Sequence, residues 1–260
     1  MQHAEEIALE VKDLAIGYGS RTVLHDLNFS VKCGEIFAIM GGSGCGKSTL
    51  LKHIIGIHPP QKGIIRIFGK EFNADNAPAL NDIARLFGVT YQGGALLGSL
   101  TVAQNVALVL EEHTQLKPQE INAVVHEKLA MVNLEDFGDF MPSELSGGMK
   151  KRAGLARALA LDPPLLFFDE PSAGLDPISS AELDKLILDL RDRYNRTIVI
   201  VTHELDSVFT IADRIIMLDK KAQTVVAEGD PRYLKDNCSN ELVRKFLNRA
   251  GLMYNSQTQR

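Results

Sequence analysis

Nine residues constrain this chain more than any others: Gly41, Gly42, Ser43, Gly44, Cys45, Gly46, Lys47, Ser48 and Thr49. They fit G-x-x-x-x-G-K-[ST], the pattern of a loop that wraps an anion. Glycines let the backbone approach closely, so several N–H groups turn inward. Lys47 supplies a point charge for the β- and γ-phosphates, and the Ser48 hydroxyl is a Mg²⁺ ligand. The flanks agree. Glu35 to Met40 predicts a buried strand, and Ser48 to Ile55 predicts a helix whose N-terminal dipole favours negative charge. A Gly-rich turn without a ligand is the bland alternative. Strand, loop, Lys-Ser pair and helix in succession argue against it.

At 260 residues and 45% hydrophobic, the chain can build one large domain, or a domain with a subdomain. Its net charge of -5 lacks the basic footprint of a nucleic-acid binder. Nowhere do eighteen apolar residues run without charge, so no membrane-spanning helix is expected. Met1 to Glu6 resembles neither a signal nor a transit peptide. Cys33, Cys45 and Cys238 have no metal-binding spacing and suit a reducing compartment.

Along the chain, Ile7 to Leu14 alternates as a half-exposed strand does. Tyr18 then stands between Gly17 and Gly19. It is either an idle loop aromatic or, given the loop downstream, a surface for an adenine ring. Val23 to Val31 reads as a strand, Ile64 to Lys70 as a strand ending in a turn, and Pro59-Pro60 as a break between elements. Ile83 to Tyr91 is a strand that ends at a hinge, Gln92-Gly93-Gly94. From about Leu100 to Ala160 the period turns helical. Within it, Ser146-Gly147-Gly148 precede an Ala/Leu-rich helix over Lys150 to Leu161 and make a second candidate anion site. Lys150 reads as part of a solvated basic face, whereas Arg152 could attract an anion.

Leu165 to Phe168 is a continuous apolar run, as in a buried parallel strand, and ends in Asp169-Glu170. Carboxylates at that end lie where α/β folds bind ligands. Asp169 can hold Mg²⁺, and Glu170 can take a proton from water. A helix over Ser179 to Tyr194 follows. The next strand, Thr197 to Thr202, ends in His203-Glu204. His25, His53, His58, His113 and His126 show no ligand spacing and read as ordinary.

Two candidate anion sites accompany one Lys-Ser loop and one carboxylate pair. A shared site is the economical reading: the second site of one chain covers the nucleotide held by another. Symmetry then predicts a two-fold, head-to-tail pair.

Tyr18, Gly41 to Thr49, Gln92, Leu145 to Met149, Leu165 to Glu170, Ala173 to Asp176 and His203, in this order, resemble the nucleotide-binding subunit of ABC transporters. The resemblance runs from about Ile7 to Tyr233. Met149 departs from it, where Gln is usual, as does Gly174, where Ala is. It implies an α/β fold, a P-loop NTPase of ABC ATPase type with a mixed sheet core, an antiparallel β-subdomain and an inserted helical subdomain. The ATPase domain would cover residues 1–235, with the helical insertion at about 93–160 and a C-terminal extension over 236–260. ATP and Mg²⁺ are the implied cofactors. Tyr18 would stack on adenine, and Lys47 with the loop amides would hold phosphates. Ser48, Gln92 and Asp169 would manage Mg²⁺, Glu170 would be the general base, and His203 would contact the γ-phosphate. Ser146, Gly147 and Gly148 would act on the partner's ATP, and Asp176 would line the dimer contact.

Tyr91 to Val102, Glu112 to Leu116 and Met141 to Met149 look like the ATPase of Mla-type systems. That family pairs a homodimer of ATPases with two permeases and an MCE-domain protein, and moves phospholipid between the membranes of Gram-negative-type bacteria. This implies a peripheral place on the cytoplasmic face of the inner membrane, and leaves open a small STAS-type regulatory subunit. Ala95, Leu96 and Leu97 would receive the permease's coupling helix, or else pack the helical insertion. At the C-terminus, Ser239 to Gly251 predicts a short amphipathic helix with a Ser cap and a Gly stop. It docks on its own domain or, as Mla-type relatives suggest, reaches across the dimer. Met253 to Arg260 reads as disordered. The rival readings are an ABC motor for another solute, a soluble ABC-type ATPase of DNA repair or translation, and a nucleotide switch that hydrolyses poorly. Glu170 and His203 argue against the switch.

Overall fold

The structure, a computed structural model, describes residues 6–72 and 82–255, without the side chains of residues 249–255. The chain divides into two units, Met1–Ile83 with Thr197–Arg260, and Ala84–Arg196. In chain order the strands are β1 (Ile7–Tyr18), β2 (Arg21–Lys32), β3 (Ile36–Gly41), β4 (Lys62–Ile67), β5 (Lys70–Glu71), β6 (Phe87–Thr90), β7 (Leu165–Asp169), β8 (Thr197–Val201), β9 (Arg214–Asp219) and β10 (Thr224–Gly229). The helices are α1 (Lys47–Ile54), α2 (Val102–His113), α3 (Pro118–Met131), α4 (Gly147–Ala158), α5 (Pro177–Tyr194), α6 (Leu205–Ile211), α7 (Pro231–Asn237) and α8 (Glu241–Asn255).

In the first unit, β3 is buried at all six positions because it is flanked on both edges. It runs parallel to β8 on one side and to β9 on the other, and β10 adds an antiparallel edge beyond β9. Each buried aliphatic or aromatic side chain of such a strand stabilises the fold by roughly 1.5–3 kcal/mol. Phe37 stacks on Phe29 of β2 at 5.7 Å between ring centres. Arg214 closes the same corner, donating to both carboxylate oxygens of buried Glu35 at 2.8 and 3.1 Å. A separate antiparallel sheet has the order β2-β1-β4-β5. The run from Ile64 to Lys70, expected as a strand ending in a turn, leaves β4 at Ile67, turns at Phe68-Gly69, both with positive φ, and returns as the short β5.

The second unit pairs β6 with β7 in parallel, and α2, α3 and α4 pack on one another. α4 begins at Gly147, three residues before the predicted Lys150, so the glycines lie inside the helix.

At the C-terminus, Asn240 rather than Ser239 caps α8, its Oδ1 accepting from the Leu242 amide at 3.0 Å. Gly251 does not stop this helix, which continues to Asn255. Met253–Asn255, expected to be disordered, are therefore helical, and the rest of that stretch lies outside the described residues. Val243 and Leu247 are fully buried with Ala38, Met40, Met217 and Leu234, so this face of α8 docks on its own unit. α7 was not anticipated in the sequence. No helix among the described residues is long and apolar enough to cross a membrane.

Candidate functional site: an open phosphate loop and a self-capped turn

The phosphate loop leaves β3 through Gly41, whose φ is 150°. A Cβ there would stand 2.6 Å from the Leu218 carbonyl oxygen, so only glycine fits. Gly46 then caps α1 with φ 105°, a left-handed conformation that glycine adopts cheaply. It offers no side-chain acceptor, and the first turn holds no acidic residue. The amides of that turn thus receive no side-chain cap from Gly46, and an anion can serve them instead. Lys47 is buried, and its Nζ donates to the carbonyls of Gly41 at 2.9 Å and Gly42 at 3.4 Å. A cation is therefore held inside the loop itself. Ser43 and Ser48 are exposed and Thr49 is half-buried. Cys45 is only 3% exposed, and burial pushes its thiol up, which favours a structural and inert cysteine.

Tyr18 is the last residue of β1 rather than a loop aromatic, and 48% of it is exposed. Its ring meets His53 of α1 and His58 beyond that helix, at 6.3 and 5.3 Å between ring centres. Sequence reasoning passed over both histidines. His203, just after β8, is exposed, with Nε2 3.8 Å from Glu204 Oε1. These residues all belong to the first unit.

Gln92, Ser146, Gly147, Gly148, Asp169, Glu170 and Asp176 belong to the second unit. Asp169 ends β7, half-buried, and Glu170 follows with φ 49°. A left-handed non-glycine backbone costs of order 1 kcal/mol and persists where its surroundings enforce it. The enforcement is visible. Lys151 Nζ donates to the carbonyls of Pro171 and Ala173, both at 2.6 Å, and of Glu170 at 3.4 Å. Lys151 thus pins the turn that carries the general-base candidate, a role that no local sequence pattern signals. Gly174 in the same loop has φ 76°, which explains a glycine where alanine is usual.

Ser146 caps α4, its Oγ accepting from the Met149 amide at 3.2 Å. The contact uses the backbone of residue 149, so methionine serves there as well as glutamine. Arg152 has its anion within the unit, Glu182 at 4.0 Å. Asp176 caps α5, accepting from the amides of Ile178 and Ser179 and from the Ser179 hydroxyl. The Ser179 hydroxyl and amide hold its carboxyl below the usual range.

Gln92 is exposed after β6, and the loop behind it is firmly shaped. Arg157 donates to the carbonyls of Ala95 at 2.7 Å and Gly94 at 3.1 Å. Fully buried Asn105 donates to the carbonyls of Leu97, Leu100 and Thr101 and accepts from the Leu97 amide. Leu97 itself stays 46% exposed, which does not fit simple packing within the helical insertion.

For Mg²⁺ the candidate donors are a hydroxyl, an amide oxygen and a carboxylate, the hard oxygen set that this ion prefers. Among the described residues no three His, Cys, Asp or Glu side chains gather as a metal cage. Few protein donors plus substrate phosphates is the usual arrangement for Mg²⁺.

A family model described as ABC transporter matches residues 24–173. MlaF, the intermembrane phospholipid transport system ATP-binding protein, is 43% identical in Haemophilus influenzae over 87% of this chain and 85% of that protein. The Escherichia coli MlaF is 40% identical over 95% of this chain and 91% of its own length. A probable ribonucleotide transport ATP-binding protein, mkl of Mycobacterium leprae, is 42% identical over 93% of this chain and 69% of its own. Among solved structures, cbiO1 of Clostridium perfringens, part of the ABC transporter complex cbiONQ, superposes with TM-score 0.83 at 30% identity, covering 96% of this chain and 100% of its own. A dimeric ATP-binding cassette bound to ADP and Pi superposes with TM-score 0.76 at 31% identity, over 85% of this chain and 98% of its own. With the family model matched over more than half the chain and relatives aligned along nearly all of it, the chain belongs to the ABC transporter family, as the ATP-hydrolysing subunit of a transporter.

Proposed function

We propose that this subunit drives phospholipid movement between the inner and outer membranes of a Gram-negative-type bacterium. The observation that carries the reading is identity of 40–43% to two MlaF proteins over most of both chains. Two copies bind two ATP and energise a pair of membrane permeases that work with an MCE-domain protein, from the cytoplasmic face of the inner membrane. The exposed loop at Ala95, Leu96 and Leu97 receives the permease, and its bracing by Asn105 and Arg157 supports that use. A small STAS-type subunit is a further candidate partner. The Mycobacterium leprae relative favours a second cargo, a ribonucleotide.

In the proposed cycle, Lys47 and the loop amides hold the phosphates while Tyr18 stacks on adenine. Ser48, Gln92 and Asp169 hold Mg²⁺, which neutralises charge developing on the phosphates. Glu170 takes the proton of the water whose oxygen bonds the γ-phosphorus as the bond to the β,γ-bridging oxygen breaks and ADP leaves, and His203 orients the γ-phosphate. Ser146, Gly147 and Gly148 of one chain donate to the nucleotide of the other, and Asp176 lines the pair's contact. The hydroxyl of Ser146 accepts one bond within its own helix and keeps its proton for that donation.

Native mass spectrometry of the complex drawn from membranes in mild detergent, with Glu170→Gln and ATP, tests the proposal. Two copies with two permeases, an MCE-domain subunit and retained phospholipid are expected. A different permease with no MCE-domain subunit would discard the phospholipid cargo, and no membrane partner would discard the transporter role for this chain.

A further inference from the structure

Three rings that sequence spacing keeps apart meet beside the phosphate loop. Tyr18, His53 and His58 touch pairwise, with centres 5.3–6.3 Å apart and planes tilted by 52–81°. Edge contacts of this kind fix ring orientation and are worth more than area burial alone. His53 is fully buried, and its Nδ1 lies 2.8 Å from the Thr49 carbonyl. A carbonyl only accepts, so Nδ1 carries a proton. Nε2 is buried without a hydrogen-bond partner, so the imidazole serves the cluster as a ring. The same bond fastens the cluster to α1, one turn beyond Lys47 and Ser48. His58 is half-buried, and its backbone amide is held by the Lys52 carbonyl at 3.3 Å.

We infer that His53 and His58 are positioning residues for the nucleotide base, acting through Tyr18. A tyrosine with nearly half its surface open would otherwise sample several ring orientations, and only one presents its face to a base. The histidine pair selects one orientation and links it to the helix that holds the phosphates. Base affinity in this chain thus depends on residues that need not touch the base. The inference rests on the reading of Tyr18 as the adenine platform.

The test uses the full chain and two probes, ATP and inorganic tripolyphosphate, which shares the phosphates but lacks the base. Equilibrium affinities are measured without turnover for Tyr18→Ala, His58→Ala and His58→Phe. His58→Ala is expected to weaken ATP roughly two- to tenfold, the range of an aromatic pair, and to leave tripolyphosphate unchanged. His58→Phe, which restores a ring, is expected to recover ATP affinity. Equal weakening of both probes in His58→Ala would assign His58 a general structural role and overturn the inference. Unchanged ATP affinity in His58→Ala, with Tyr18→Ala weakened, would overturn it and leave the platform standing. Unchanged ATP affinity in Tyr18→Ala would overturn the platform reading itself, and the inference with it.

Discussion

α1 and α4 each begin behind a Gly-rich turn, and from sequence alone both turns read as anion sites. The caps separate them. Gly46 gives α1 no side-chain acceptor, and Lys47 lies buried against the loop's own carbonyls, so amides and a cation converge on one place. Ser146 instead caps α4 with its own oxygen, and two of the three cations after it are committed elsewhere, Lys151 to three carbonyls and Arg152 to Glu182. The first turn is a whole binding site. The second offers a hydroxyl proton and two glycines, and neither Lys151 nor Arg152 is available to complete it. We propose that a turn of this second kind contributes to an anion whose main holder lies in another chain, the pair that the sequence symmetry predicts.

Substitutions separate chemistry, holding and completion. Glu170→Gln leaves both turns intact and removes the base. Hydrolysis is expected to fall by about 10²–10⁴-fold while ATP binding persists, measured by phosphate release beside equilibrium binding. Lys47→Ala strikes the complete site. Losing a hydrogen-bonded charge at about 1.5–3 kcal/mol should weaken ATP binding by roughly ten- to a hundredfold. Equal loss in a Ser146 variant of the isolated chain would break the distinction between the turns. Ser146→Ala removes a helix cap and should cost about 0.5–2 kcal/mol of stability, read as a lower denaturation midpoint, with ATP affinity of the single chain unchanged. The smallest effect concerns pH. The Asp176 carboxyl is held below its ordinary value by the Ser179 hydroxyl and amide. Its stabilisation is therefore fully present above the ordinary carboxylate range and fades as pH falls through the lowered value. Asp176→Asn should lower the thermal midpoint at neutral pH, and the gap from the unmodified chain should close in acid.

The phosphate loop was legible because its function is written in contiguous residues: an apolar strand, glycines at fixed offsets, and Lys-Ser at a helix start. The acid pair was legible for the same reason, since β7 runs apolar to its last residue. Contacts between distant residues were not. His53 and His58 read as ordinary because their partner, Tyr18, lies 35 and 40 positions away in the chain. Lys151 lies in the basic run Lys150 to Arg152, and only the fold brings it to the carbonyls of Glu170, Pro171 and Ala173. Asn105 carries no local sign of the loop it braces. Helix ends failed where local rules were overridden: Gly251 suggested a stop, but α8 is already anchored by Val243 and Leu247 and runs on. The same anchoring seats this face of the helix on its own unit.

We propose that the Ser146 turn completes a nucleotide site held by another copy, and sedimentation of the Glu170→Gln chain decides it. With ATP and Mg²⁺ that chain should shift from one copy to two. Adding Ser146→Glu, which sets a negative charge against the partner's phosphates, should return it to one copy while each chain still binds ATP. Pairing that survives Ser146→Glu, or a Glu170→Gln chain that ATP leaves single, would rule out the shared site.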